Sequence, residues 1–97
     1  MIVISEAVLD QFRGTRRCEL CFVTRHCFPH HVWARGMGGG TRLDVDCNLI
    51  AVCHGCHMDI HEGIIGRGEV VGAVSRRMKI SAAEIEQRVW DLRRAPK

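Results

Sequence analysis

The 97-residue sequence contains no tyrosine, only 5% aromatic residues, and no apolar run near the roughly 20 residues that a membrane span requires. A membrane protein is therefore not expected. Met1-Ile2-Val3-Ile4 gives way at once to Ser5 and Glu6, so the start lacks both the basic n-region and the apolar h-region of a secretory signal. The expected location is the cytoplasm, in a bacterial or phage-infected cell. Internal repeats, linkers and low-complexity stretches are missing as well, apart from a short glycine tract at Gly36, Gly38, Gly39 and Gly40. Residues 1–97 thus read as a single domain. Excess charge of one sign is also scarce: 14 Lys and Arg against 11 Asp and Glu leave a net charge of +3, which by itself neither requires nor excludes a nucleic-acid partner.

Cysteine, by contrast, is plentiful, with six in the chain. Without export the cellular thiol pool keeps them reduced, so their spacing is read as metal binding rather than as a disulfide framework. Cys18 and Cys21 form one C-x-x-C knuckle and Cys53 and Cys56 another, the usual way to set four thiolates around a structural Zn²⁺. A thioredoxin-like redox pair would need a βαβ context that this short chain does not supply. Cys27 and Cys47 are left over and are expected to be buried as small apolar side chains.

Hydrophobic periodicity places a short helix over Ser5 to Phe12, stopped by Gly14. Apolar segments Phe28 to Ala34 and Leu49 to Val52 read as two strands joined through the glycine tract. A short helix is expected over Cys53 to Glu62, followed by helices over Glu69 to Met78 and Ser81 to Arg94, the last opened by a Ser81/Glu84 capping box. His57 and His61 stand four residues apart on the first of these helices, so their rings share one face. Basic residues cluster at Arg13, Arg16, Arg17 and Arg25, at Arg76, Arg77 and Lys79, and at Arg93, Arg94 and Lys97, either as phosphate grips or as solvated faces.

The combination His30-His31, Asn48 and His57, one set per element of a β-β-α unit, resembles the HNH (ββα-metal, His-Me finger) nuclease family. The likeness runs from Cys18-Glu19-Leu20-Cys21 through Pro29-His30-His31-Val32-Trp33-Ala34-Arg35-Gly36-Met37-Gly38-Gly39 to Asn48-Leu49-Ile50-Ala51-Val52-Cys53-His54-Gly55-Cys56-His57. It covers residues 18 to 62, leaving a C-terminal helical extension over 66–97. The fold class it implies is α+β: a ββα-metal core with flanking helices and a pair of zinc knuckles. It further implies that His31 is the general base, that His30 and His57 bind one catalytic divalent metal (Mg²⁺, Mn²⁺, Ni²⁺ or Zn²⁺), and that Asn48 ties the glycine tract to the first strand and keeps His31 oriented. Some members of the family have a further metal ligand at the position of His61, and the open alternative is an exposed helical histidine. Arg35 matches an arginine that contacts DNA phosphate in the family. The implied activity is DNA phosphodiester hydrolysis leaving 5′-phosphate and 3′-hydroxyl ends, in a class of small proteins often encoded by phages or mobile elements.

The same chemistry follows from the residues themselves. Phosphodiester hydrolysis needs a base for water, charge stabilisation at phosphorus and help for the leaving oxygen. A neutral imidazole meets the first need, and a cation held by only two or three imidazoles keeps positions open for the others. Neighbours in a regular strand point to opposite faces, so His30 and His31 serve one phosphate only if the strand bends or ends there. Asp44 and Asp46 are expected to shape the turn and position Asn48. Trp33 is read as a core anchor, with base stacking the alternative, and Trp90 as a core residue of the last helix. His26 and His54 are expected at the surface. The competing functional readings are a non-catalytic, zinc-dependent DNA-binding module and a zinc module that binds protein.

Overall fold

A computed structural model describes residues 2–33 and 42–94. Arg35, the glycine tract and Lys97 lie outside the described residues. The elements run β1 (Ile2–Val3), α1 (Glu6–Asp10), β2 (Gly14–Arg17), β3 (Thr24–His31), β4 (Arg42–Leu43), a 3₁₀ turn (Asp46–Asn48), β5 (Leu49–Cys53), α2 (His54–His61), α3 (Arg67–Met78) and α4 (Ala82–Arg94). This is an α+β fold. None of the described helices is long and apolar enough to cross a membrane.

β5 reads Leu-Ile-Ala-Val-Cys and is buried at every position, as a strand covered on both faces must be. It pairs antiparallel with β3, setting His31 opposite Leu49 and Cys27 opposite Cys53. β3 in turn pairs antiparallel with β2, giving the sheet order β2-β3-β5. The first strand was expected over Phe28 to Ala34, but the sheet pairing runs from Thr24 to His31. Thr24, Arg25 and His26 carry no apolar signal because they pair with the exposed, charged edge strand β2 rather than with the core.

The other edge of the sheet, along β5, is closed by side chains. The Glu19 carboxylate accepts the Ala51 N–H at 2.8 Å while Ala51 C=O accepts the Glu19 N–H at 2.9 Å. Arg77 bridges to Glu19 at 2.9 Å and donates to the Leu49 carbonyl at 3.0 Å and to the Asp46 carbonyl. Arg77 is thus committed to holding the sheet edge and is withdrawn from the basic cluster that the sequence suggested as a phosphate grip.

Helix α3 buries Val70, Val71, Ala73 and Val74. α4 adds Ile85 and Val89, spaced one turn apart. Ser81 caps α4 by accepting the Glu84 N–H at 3.1 Å. Ile85 has no solvent exposure, so Ile85→Ala should leave a cavity and lower the unfolding free energy by about 3 kcal/mol, read as a reduced urea midpoint. Trp90 departs from expectation: it is 50% exposed, because Ile85 and Val89 already turn the apolar face of α4 inward and Trp90 lies off that stripe.

Candidate functional site

The two C-x-x-C segments meet at the junction of β5 and α2. Cys18, Cys21, Cys53 and Cys56 each present a sulfur within 4.8 Å of the other three. Cys21 Sγ and Cys53 Sγ lie 3.8 Å apart, which is the edge of a tetrahedron with metal–sulfur bonds of about 2.3 Å and far beyond a disulfide bond of about 2.05 Å. Phe22 adopts a left-handed backbone (φ 65°) directly after Cys21, and its N–H returns to Cys18 C=O at 3.0 Å, which folds the first knuckle back on itself. Burial pushes the Cys18 thiol up, but backbone N–H groups of Cys21, Cys53 and Leu20 donating to its sulfur more than offset this and bring its pKa down to about 6. Burial raises Cys56, and the adjacent sulfurs of Cys53 and Cys18 raise it further. Four thiols so close cannot all ionise without a cation, and the donor set suits a structural metal such as zinc. Cys27 and Cys47 are buried apart from this cluster.

One turn further along α2, His57 and His61 present Nε2 atoms 3.2 Å apart. That separation suits either an N–H···N hydrogen bond or two neighbouring ligands on one cation with metal–nitrogen bonds of about 2.1 Å. His30 projects from β3 toward the same place, its ring centroid 5.3 Å from that of His57 and 6.5 Å from that of His61. Burial lowers the His30 pKa to about 4, helped by the nearby rings of His57, His61 and His31. His57 is lowered too, by burial and then by His61 and His54. Neutral rings keep their lone pairs available for a cation at neutral pH.

His31 turns the other way from His30, as strand neighbours do, and its Nε2 lies 2.7 Å from Asp44 Oδ1. Both rings nevertheless border one cleft of about 390 Å³, because β3 ends at His31 and the cleft opens past the strand end, with Ile60, Gly66, Arg67 and Val70 forming much of its wall. Gly66 is the N-cap of α3, so the positive end of that helix faces the cleft beside Arg67.

Asp44 is the candidate site residue that sequence reasoning missed. Expected as a turn former beside Asn48, it is fully buried and makes no bond to that side chain. Its carboxylate accepts from Arg42 Nε and Nη2, both at 3.1 Å, and from the Ser5 N–H at 2.9 Å, besides meeting His31. Desolvation acts to raise its pKa, but the bonds from His31, Arg42 and Ser5 prevail and hold it down to about 2. Because the folded-state value lies below the unfolded one of about 3.8, Asp44 stabilises the fold at higher pH and this contribution fades as pH falls from about 4 toward 2. Asp44→Asn should cost about 3 kcal/mol at neutral pH and flatten that acid limb, as measured by urea unfolding across the pH range.

Asn48, also fully buried, has its amide satisfied on both sides. Oδ1 accepts the Trp33 N–H at 2.8 Å, and Nδ2 donates to the carbonyls of Trp33 at 3.1 Å and Leu43 at 3.0 Å. Its backbone carbonyl also accepts from Val32 at 2.9 Å. The chain on either side of residues 34–41 is thereby fastened together, which fixes the end of β3 next to His31 and the approach of Asp44. His26 and His54 are exposed, as expected. No family model, no curated protein and no solved structure matches the chain.

Proposed function

We propose that this chain is a small HNH-type, ββα-metal endonuclease that hydrolyses DNA phosphodiesters, with His31 as general base and His30, His57 and His61 as ligands of one divalent metal. The observation that carries the reading is one cleft lined by both His30, whose ring lies beside those of His57 and His61, and His31, whose ring is held by the Asp44 carboxylate. A protein-binding zinc module has no use for that pairing.

Asp44, ionised at neutral pH, would accept a hydrogen bond from the Nε2–H of His31, the tautomer whose lone pair is on Nδ1. Nδ1 is then the atom that takes a proton from the attacking water. Asn48 and Asp44 act as positioning residues, the first by fixing the strand end and the second by fixing the ring. Arg67 and the N-terminus of α3 border the cleft where a phosphate would sit and supply positive potential there. A cation held by the three imidazoles would neutralise charge on the phosphate and assist the departing 3′-oxygen. The four thiolates would hold zinc and so fix the start of α2, on which His57 and His61 depend. Arg35, outside the described residues, remains a proposed phosphate contact by resemblance.

The test is conversion of supercoiled plasmid to nicked or linear DNA on addition of Mg²⁺, Mn²⁺ or Ni²⁺, with products carrying 5′-phosphate ends. No conversion with any of these metals by folded, zinc-loaded protein would overturn the reading.

A further inference from the structure

Trp90 calls for an explanation, being a large aromatic ring left half exposed in a chain with only two tryptophans. It stands on a stripe of α4 formed by Ala83, Gln87 and Trp90, which faces Trp33 across a cleft of about 600 Å³. Arg67 and Arg93 complete its rim, and Glu86 and Gln87 offer polar atoms within it. The Arg67 guanidinium lies 5.9 Å from the Trp33 ring and the Arg94 guanidinium 6.0 Å from the Trp90 ring. Arg67 also lines the histidine cleft, so the two depressions share a wall. Trp33 follows His31 by two residues, which carries the aromatic floor directly away from the proposed base.

We propose that this second cleft receives an unpaired base of the DNA strand whose phosphate lies in the histidine cleft. The base stacks on Trp90, and Arg67 and Arg93 hold the phosphates flanking it. The observations favour a base over an apolar peptide because the aromatic surface is interleaved with guanidinium groups, the combination that binds single strands through stacking plus phosphate attraction. A base still stacked within a duplex cannot offer its face to Trp90, so the site selects a single-stranded, frayed or extruded nucleotide. The proposal rests on reading the histidine cleft as the phosphodiester site.

The experiment measures anisotropy of a labelled 12-nucleotide single-stranded DNA with zinc-loaded protein and no added divalent metal. The probes are the intact strand, the same strand carrying abasic sites, and its duplex. The intact strand should bind more tightly than the duplex and quench tryptophan emission. Trp90→Ala should weaken binding of the intact strand about tenfold while changing the abasic strand less than twofold, and Trp90→Phe should recover most of the loss. Arg67→Ala should weaken both strands and reduce the salt dependence.

Equal effects of Trp90→Ala on both strands, or no effect, would overturn the proposal. So would a Trp90-dependent dimer of the chain with unchanged DNA affinity, which would assign the exposed ring to self-association. The plasmid assay separates this from the catalytic reading: cleavage without Trp90-dependent binding sinks only the second cleft, and Trp90-dependent binding without cleavage sinks only the nuclease.

Discussion

His31→Ala should lower the rate of plasmid cleavage by about a thousandfold while leaving the fold and the metal content unchanged. A positioned general base contributes on the order of 10² to 10⁴ in rate, and the Asp44 bond at 2.7 Å holds the His31 ring in place at the cleft. Its side chain is 27% exposed, so removing it opens a space at the cleft wall rather than a void in the core. Stability should therefore change little beyond the loss of one bond to Asp44, which keeps Arg42 and Ser5. The rate should fall in kcat more than in KM, since the lost group acts on water and not on the binding of the strand. Cleavage by His31→Ala at the wild-type rate would remove the proposed base.

Stripping the cysteine cluster should have the largest structural effect. Cys53→Ser, or removal of metal with a strong thiolate-competing chelator, should unfold the chain, with loss of the far-ultraviolet helical signal and of about one zinc per molecule. Structural zinc contributes on the order of 10 kcal/mol in small domains, comparable to the whole stability of a chain this size. The reason is local as well as global. Cys53 ends β5 and caps α2, and Cys18 and Cys21 pin the Glu19 turn that closes the edge of β5. Releasing the sulfurs frees the sheet edge and the histidine helix together. A mild chelator that reaches only the imidazole site should abolish cleavage and leave circular dichroism unchanged. Loss of activity and structure at the same chelator concentration would contradict two separate metal sites.

The knuckles were legible in the sequence because C-x-x-C spacing is itself a local geometry, and the His57/His61 pair because a four-residue interval on a helix fixes a shared face. The helices α3 and α4 followed from periodicity in the same way. Asp44 was not legible. Its partners lie at Ser5, His31 and Arg42, two of them distant in sequence, and only the parallel pairing of β1 with β4 brings Ser5 to it. Those strands are two residues long, too short for any periodic signal. β2 was missed because Gly-Thr-Arg-Arg reads as a turn with charge, whereas an exposed edge strand is built of such residues. Trp90 was misplaced by reading an aromatic as core when the apolar stripe of α4 was already filled by Ile85 and Val89.

The most direct test is a calorimetric titration of the zinc-loaded protein with Mn²⁺ or Ni²⁺, compared with His57→Ala and His30→Ala. Uptake of one further equivalent by the wild type, lost in both variants while the cysteine-bound zinc stays in place, is the predicted result. Absence of a second equivalent, or its persistence in both variants, would contradict a catalytic cation held by the imidazole cluster beside His31.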